Sequence, residues 1–168
     1  LRNGEINLQT SGVGLFRCIG WGGVIRNLGA ENVAVSGNDI VGGLVAENSG
    51  TVLTCYATNA VMGHDEVGGL VGTSNNGTVT SCYARGAVSG NNLVGGLIGR
   101  IQYDTVTSCY ATGAVSGNSD VGGLIGNIAN GTVTSCYATG AVSGNNDVGG
   151  LVGYIYNSTV SSCYWDME

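Results

Sequence analysis

The chain contains no proline, no lysine, one histidine and one phenylalanine. Charged residues make up 10% of its 168 positions, against a usual share of about 25%. Without proline or a three-residue glycine period, a collagen-like triple helix is excluded. The only basic side chains are five arginines, and the formal net charge is −6. Nucleic-acid binders need basic patches to neutralise phosphates, so this class is excluded, as is electrostatic docking to anionic membranes. No apolar run approaches the roughly 20 residues of a membrane helix, so direct membrane insertion is not expected. Neither a leader peptide nor an initial methionine is visible, so the chain reads as a segment of something longer. Long helices are also excluded. Glycine takes 32 positions, and the longest stretch between two glycines, Arg100 to Thr112, is rich in β-branched residues; each interior glycine costs a helix roughly 1 kcal/mol. Yet 43% of the chain is hydrophobic, enough to bury a core.

What is present is a repeat. The string Val-Gly-Gly-Leu begins at Val41, Val67, Val94, Val121 and Val148, at spacings of 26, 27, 27 and 27 residues. The pair Cys-Tyr recurs 27 residues apart at Cys55, Cys82, Cys109, Cys136 and Cys163. One shortening lies between Leu44 and Cys55. Residues 1–37 form an atypical first coil or N-terminal transition, residues 38–164 hold the regular repeats, and residues 165–168 begin an exit segment. In the first coil Gly14-Leu15-Phe16 stands where later coils have Gly-Leu-Val, and Val24 through Gly37 replaces Val-Thr-Ser-Cys-Tyr-Ala-Thr-Gly-Ala-Val-Ser-Gly with two extra residues, which places Val24 in the valine slot, Asn27 in the cysteine slot and Leu28 in the tyrosine slot.

Each unit is rich in Val, Thr, Tyr and Ile, which favour strands, punctuated by Gly-Asn-Asn and Asn-Gly turns. Three short strands and three corners fit about 27 residues. Propeller blades need about 40–50 residues, so the unit is too short for one. If each unit makes one coil, equivalent residues stack about 4.8 Å apart. The expected fold is therefore an all-β, single-stranded parallel β-solenoid (β-helix) of five to six coils, right-handed by the crossover rule. Val79 and Val88 have opposite strand parity, so a corner must separate them, at Ala84-Arg85-Gly86 or at the Ser-Cys step. Leu44, Leu70, Leu97, Leu124 and Leu151 directly precede Val45, Val71, Ile98, Ile125 and Val152. Either a bend turns both columns inward, or one forms an exposed apolar stripe.

The repeated Gly-Gly-Leu-Val/Ile-Gly with Thr-Val-Thr-Ser-Cys-Tyr-Ala-Thr-Gly-Ala-Val-Ser-Gly resembles the GLUG-motif repeat family. The opening from Val13 and the closing Ser162-Cys163-Tyr164-Trp165-Asp166-Met167-Glu168 resemble the start and end of such arrays. The resemblance implies secreted or surface-attached bacterial multi-domain proteins, haemagglutinin-like adhesins among them. It implies a repeat scaffold and no activity of the repeats themselves.

No catalytic residue, cofactor or metal ion is expected. His64, in Met-Gly-His-Asp-Glu, lacks the His-Glu-x-x-His spacing of zinc peptidases and reads as an exposed turn residue. The acidic residues Asp39, Asp65, Glu66, Asp120 and Asp147 read as solvated turns, since calcium needs six to eight oxygens. Asn76, Asn130 and Asn157 stand in glycosylation sequons. The structural thiol ladder Cys55, Cys82, Cys109, Cys136 and Cys163 has three readings: buried free thiols packing as small apolar groups, disulfides with Cys18 as a spare partner, or a thiolate metal stack. Two further columns are candidate surface ladders. Tyr56, Tyr83, Tyr110, Tyr137 and Tyr164 either form a row that stacks on sugar rings and apolar partners, or pack on each other over the core. Thr78/Thr80, Thr105/Thr107 and Thr132/Thr134 form a hydroxyl grid that suits ice binding, though threonine is also an ordinary exposed strand residue.

The expected role is a non-enzymatic extracellular or cell-surface module, a rigid spacer with an adhesive face. Its partners would be neighbouring domains or copies of itself and a host glycan or protein surface. A filament or sheath subunit is the alternative, and ice binding a further one.

Overall fold

A computed structural model describes residues 2–166. Its 28 strands are short, with no helix among the described residues, and every strand pairing is parallel. The chain is a β-solenoid of about six turns with about 27 residues per turn. The core columns follow the 27-residue step: Val52, Val79, Val106, Val133 and Val160 lie in register on successive coils. So do Ala57, Ala84, Ala111 and Ala138.

A full coil holds five strands rather than the expected three. In one coil they are Asp65–Gly68, Val71–Asn75, Thr78–Thr80, Tyr83–Ala84 and Val88–Ser89. The extra breaks fall at the Gly69-Leu70 bend and at the Ser81-Cys82 corner. Three columns of non-glycine residues adopt positive φ: Thr54, Ser81, Ser108, Ser135 and Ser162; Ile40, Glu66, Leu93, Asp120 and Asp147; and Asn76, Tyr103, Asn130 and Asn157. The corner between Val79 and Val88 is double, a left-handed Ser81 followed by the turn around Arg85 and Gly86.

Both members of the Leu-Val/Ile pairs face inward: Leu70, Val71, Leu97 and Ile98 are fully buried, and Leu151 and Val152 of the last coil are half-buried against the same core. The bend reading therefore holds, and there is no apolar stripe at these columns. The glycine pair makes the bend. A Cβ on Gly95 would lie 1.9 Å from the carbonyl oxygen of Ile98 in its own coil, and one on Gly96 would lie 2.1 Å from the carbonyl oxygen of Gly123 in the next. The first glycine thus lets the chain fold back on itself. The second lets adjacent coils approach and packs against the alanine column, where Ala111 Cβ stands 3.0 Å from the same position. Two apolar compartments result. The larger holds the Leu, Val/Ile, Cys and Ala columns; the smaller is valine only, with Val41, Val67, Val94 and Val121 facing Val35, Val61, Val88 and Val115.

The first coil departs from the expected slots by one residue. Ile25, not Val24, pairs with Val52, and Gly29, not Leu28, pairs with Tyr56. Leu28 therefore takes the cysteine slot and packs against the core, and Asn27 is the left-handed corner. Val24 and Ile25 are both β-branched, so the apolar pattern alone could not choose between them. The shortened coil loses its residue between Asn48 and Thr51. Asn48 fills the gap: its side-chain oxygen accepts from the Gly50 amide at 3.0 Å, and its Nδ2 donates to Ser74 Oγ at 2.8 Å. At the far end Trp165 pairs with Ala138, lies over Gly150 and donates Nε1–H to the Gly140 carbonyl at 3.2 Å. Of the expected exit segment, Met167 and Glu168 lie outside the described residues.

Two substitutions within the columns carry a cost. Tyr103 holds φ 56° where other coils use asparagine, and a left-handed conformation costs a side chain other than Gly or Asn about 1–2 kcal/mol. The residue is 58% exposed, so no core packing offsets the strain. Tyr103→Asn is expected to raise stability by about 1 kcal/mol, a Tm gain of about 2–4 °C for a chain of this size, measured by thermal unfolding. Asp104 replaces the glycine of Gly77 and Gly131 and is buried. Its Oδ1 accepts from the Gly77 amide, while Oδ2 has no partner. Burial raises the carboxyl pKa, against the opposing hydrogen bonds from Ser74 and Gly77. The folded state thus holds the proton more tightly than the unfolded chain. The associated stability is present below the ordinary Asp pKa of about 3.9 and is lost as pH rises through the raised value. Asp104→Asn is expected to unfold at higher temperature than the parent at about pH 7, with the gap narrowing as pH falls toward about 3.9. Melting curves across pH check this.

Candidate functional site

The threonine and tyrosine columns occupy two neighbouring walls of the solenoid, joined at the Ser81–Cys82 corner. On the first wall each buried valine is flanked by two outward residues. Thr51, Thr78, Thr105, Thr132 and Thr159 stack in one row; Leu53, Thr80, Thr107, Thr134 and Ser161 stack in the other. Thr105 and Thr132 are exposed, and Thr78, Thr80, Thr107 and Thr134 are half-buried. The hydroxyl grid expected from the sequence is therefore present, about 7 Å by 4.8 Å.

The second wall carries the tyrosines. Tyr56, Tyr83, Tyr110, Tyr137 and Tyr164 form a continuous stack, with centroids 4.8–5.2 Å apart and planes within 7° of parallel. The ring faces are taken up by neighbouring rings, so the inner tyrosines present only edges and hydroxyls. Of the two readings given above, mutual packing is the one this geometry supports. The stack ends at Tyr56 because Gly29 leaves room there for its ring, and the Tyr56 hydroxyl donates to Glu31. Arg85 interrupts the column of Thr58, Thr112 and Thr139; the sequence marks that slot as facing water but does not show the arginine's contact with the tyrosines. Its guanidinium lies 4.8 Å from the Tyr83 centroid and donates to the Tyr110 hydroxyl at 2.9 Å. A basic residue one rung from aromatic rings was the available signal.

Between the two walls runs the cysteine column, and it has a backbone task. After the left-handed Ser81 corner, the Cys82 amide donates to Cys109 Sγ on the next coil at 3.4 Å. Cys55, Cys109 and Cys136 repeat the contact at 3.3–3.4 Å. Each thiol in turn donates to the carbonyl two residues before it, as Cys109 does to Thr107 at 3.2 Å. Sulfur thus supplies an acceptor that a β-ladder would draw from a carbonyl. The neighbouring thiols of Cys136 and Cys82, with burial added, push the Cys109 pKa up, and burial does the same at Cys163. All six cysteines are free, so the free-thiol reading stands over the disulfide one. Cys18 is no partner of the ladder: it is exposed and pairs in register with Glu47 on another wall. Among the described residues no three cysteines gather as a metal set; the one such group is Asp39, His64 and Asp65.

The column therefore tolerates serine better than alanine. Cys109→Ala strands a buried amide, at a cost of about 1–3 kcal/mol, whereas Cys109→Ser keeps an acceptor and costs less; denaturant unfolding ranks the two. Native protein is also expected to react with maleimide first at Cys18, with Cys55, Cys82, Cys109 and Cys136 protected until unfolding, as read by peptide mass spectrometry.

Comparison with known proteins adds one match. A family model, the GLUG motif, matches residues 90–116, 117–143 and 144–165. No curated protein and no solved structure matches the chain. The matched units each begin at the glycine that ends the Val-Ser strand, at Gly90, Gly117 and Gly144.

Proposed function

Because residues 90–165 are GLUG repeats wound into a β-solenoid, we propose that the chain is a non-enzymatic module of a secreted or surface-attached protein. It acts as a rigid spacer that holds a repeating face toward a partner. The observation that carries this reading is the register of the threonine wall. Four successive coils present Thr-Val-Thr or Thr-Val-Ser at the same height and spacing, with each valine fixed in the core. Such a wall meets an extended, repetitive ligand without losing side-chain freedom on binding, because its β-branched residues are already held. A glycan chain or a flat protein surface of a host cell has that character. The net charge of −6 disfavours anionic partners. Among the described residues no helix is long and apolar enough to cross a membrane.

Self-assembly is the second reading, and the last coil favours it. Val148, Ile155 and Tyr156 are 43%, 49% and 59% exposed there, and the strand edges of that coil invite pairing. One experiment separates the two: light scattering of the purified chain over a concentration series, followed by a glycan and surface-protein array. Under the spacer reading the chain stays monomeric and binds an array member, and Thr107→Arg with Thr134→Arg abolishes the binding. Growth into ordered polymers with no array binding would replace that reading by self-assembly. Thermal hysteresis in the same sample would assign the threonine wall to ice.

A further inference from the structure

One corner of the solenoid changes its residues along the stack. The residues three and two positions before each Val-Gly pair are Asn91-Asn92, Asn118-Ser119 and Asn145-Asn146 in three successive coils, followed by Leu93, Asp120 and Asp147. In the coil before these, the same two slots hold His64-Asp65, as the Asp65–Asn92 pairing fixes. One coil earlier they hold Asn38-Asp39, because Val41 pairs with Val67 and the Ile40 amide donates to the Asp65 carbonyl. The register therefore stacks two carboxylates, Asp39 and Asp65, on adjacent rungs and places the chain's single histidine beside them. Like charges at this separation repel, and a cation between them removes the cost.

The distances say what kind of cation fits. His64 Nδ1 lies 3.4 Å from Asp39 Oδ1 and 3.4 Å from Asp65 Oδ1. That is long for a hydrogen bond, whose N···O distance clusters near 2.9–3.0 Å. It is the edge of a coordination tetrahedron. Zinc bound at about 2.0–2.1 Å to nitrogen and about 2.0–2.2 Å to oxygen sets its ligand atoms about 3.4 Å apart. All three donor atoms lie within 4.8 Å of one another. The supporting contacts hold the group in place. Asn92 Nδ2 donates to Asp65 Oδ1 at 2.8 Å, and Ser11 Oγ approaches Asp39 Oδ2 at 3.4 Å. The histidine backbone is clamped on both sides, its amide donating to the Asn38 carbonyl and its carbonyl accepting from the Asn91 amide, each at 2.6 Å. The histidine side chain is 58% exposed and the two aspartates 38% and 36%, which leaves the fourth position to water.

We propose that His64 Nδ1 and one oxygen each of Asp39 and Asp65 bind a single divalent transition-metal ion of the zinc class. The site joins two successive coils where the irregular first coil meets the regular stack. One nitrogen and two carboxylates suit zinc or cobalt(II); calcium, with its need for six to eight oxygens, is poorly served. The site is independent of what the threonine and tyrosine walls bind.

The test is isothermal titration of zinc chloride into the chain carrying Cys18→Ser, which removes the exposed thiol as a competing ligand. His64→Asn is the informative variant, because asparagine occupies this slot in the next three coils and the fold accepts it. Asp39→Asn is the second, since asparagine at the equivalent position of the stack is equally native. One equivalent of zinc is expected to bind, with affinity at least about tenfold weaker in either variant, as for loss of a direct ligand. Cobalt(II) is expected to give tetrahedral d–d bands without a sulfur charge-transfer band. Zinc is also expected to raise the Tm of the parent and not of His64→Asn. Failure to bind zinc, equal affinity in parent and His64→Asn, or a cobalt spectrum dominated by thiolate would each overturn the proposal.

Discussion

Everything in this molecule depends on keeping each coil in register with the next. Parallel ladders link residue to residue at about 4.8 Å, so a coil that closed late by one residue would turn its core columns outward. Register is held at the corners. The Gly-Gly pair folds the chain back on its own carbonyl and lets the next coil approach, where any Cβ would collide with backbone at about 2 Å, as at Gly95 and Gly96. Three left-handed residues in each regular coil complete the turns. The cysteine thiol then supplies the acceptor that the Ser-Cys corner leaves missing. With the corners fixed, the columns of leucine, valine, isoleucine and alanine stack without further instruction.

Much of this was legible from the sequence. The 27-residue period set the solenoid, and the strict recurrence of Val79, Val106 and Val133 set a core column with outward threonines beside it. Less visible was the chain's path round the corners. Ser81 takes positive φ, which its residue type does not announce, and the Gly-Gly-Leu bend divides a run that reads as one strand, so five strands per coil read as three. In the first coil Val24 and Ile25 are interchangeable as apolar β-branched residues, and the slot assignment moved by one. The tyrosines read as a mutual stack ahead of a binding platform. Their 4.8–5.2 Å spacing and near-parallel planes support the stack, and side-chain tilt of this kind is not encoded in a repeat pattern.

Two kinds of position follow. Where the columns are uniform, each coil does the same thing as its neighbours, and the product is a stiff wall. Where a column is broken, one coil differs from the rest: Arg85 over the tyrosine stack, Asp104 buried in a glycine slot, Asn48 filling a missing residue, and His64 beside Asp39 and Asp65. The uniform columns make the scaffold, and with it the face proposed above to meet a partner. The broken ones give single coils their own charge, strain and ligand chemistry. In a repeat protein the departures from the repeat are thus the places to look for individual function.

The central claim is the register itself, and electron paramagnetic resonance tests it directly. Nitroxide labels on Thr105→Cys and Thr132→Cys, both exposed and paired across adjacent coils, should show strong dipolar broadening in the Cys18→Ser chain, as expected for a backbone separation of about 4.8 Å. A doubly labelled chain whose spectrum equals the sum of the two singly labelled ones would contradict the stacking on which the whole account rests.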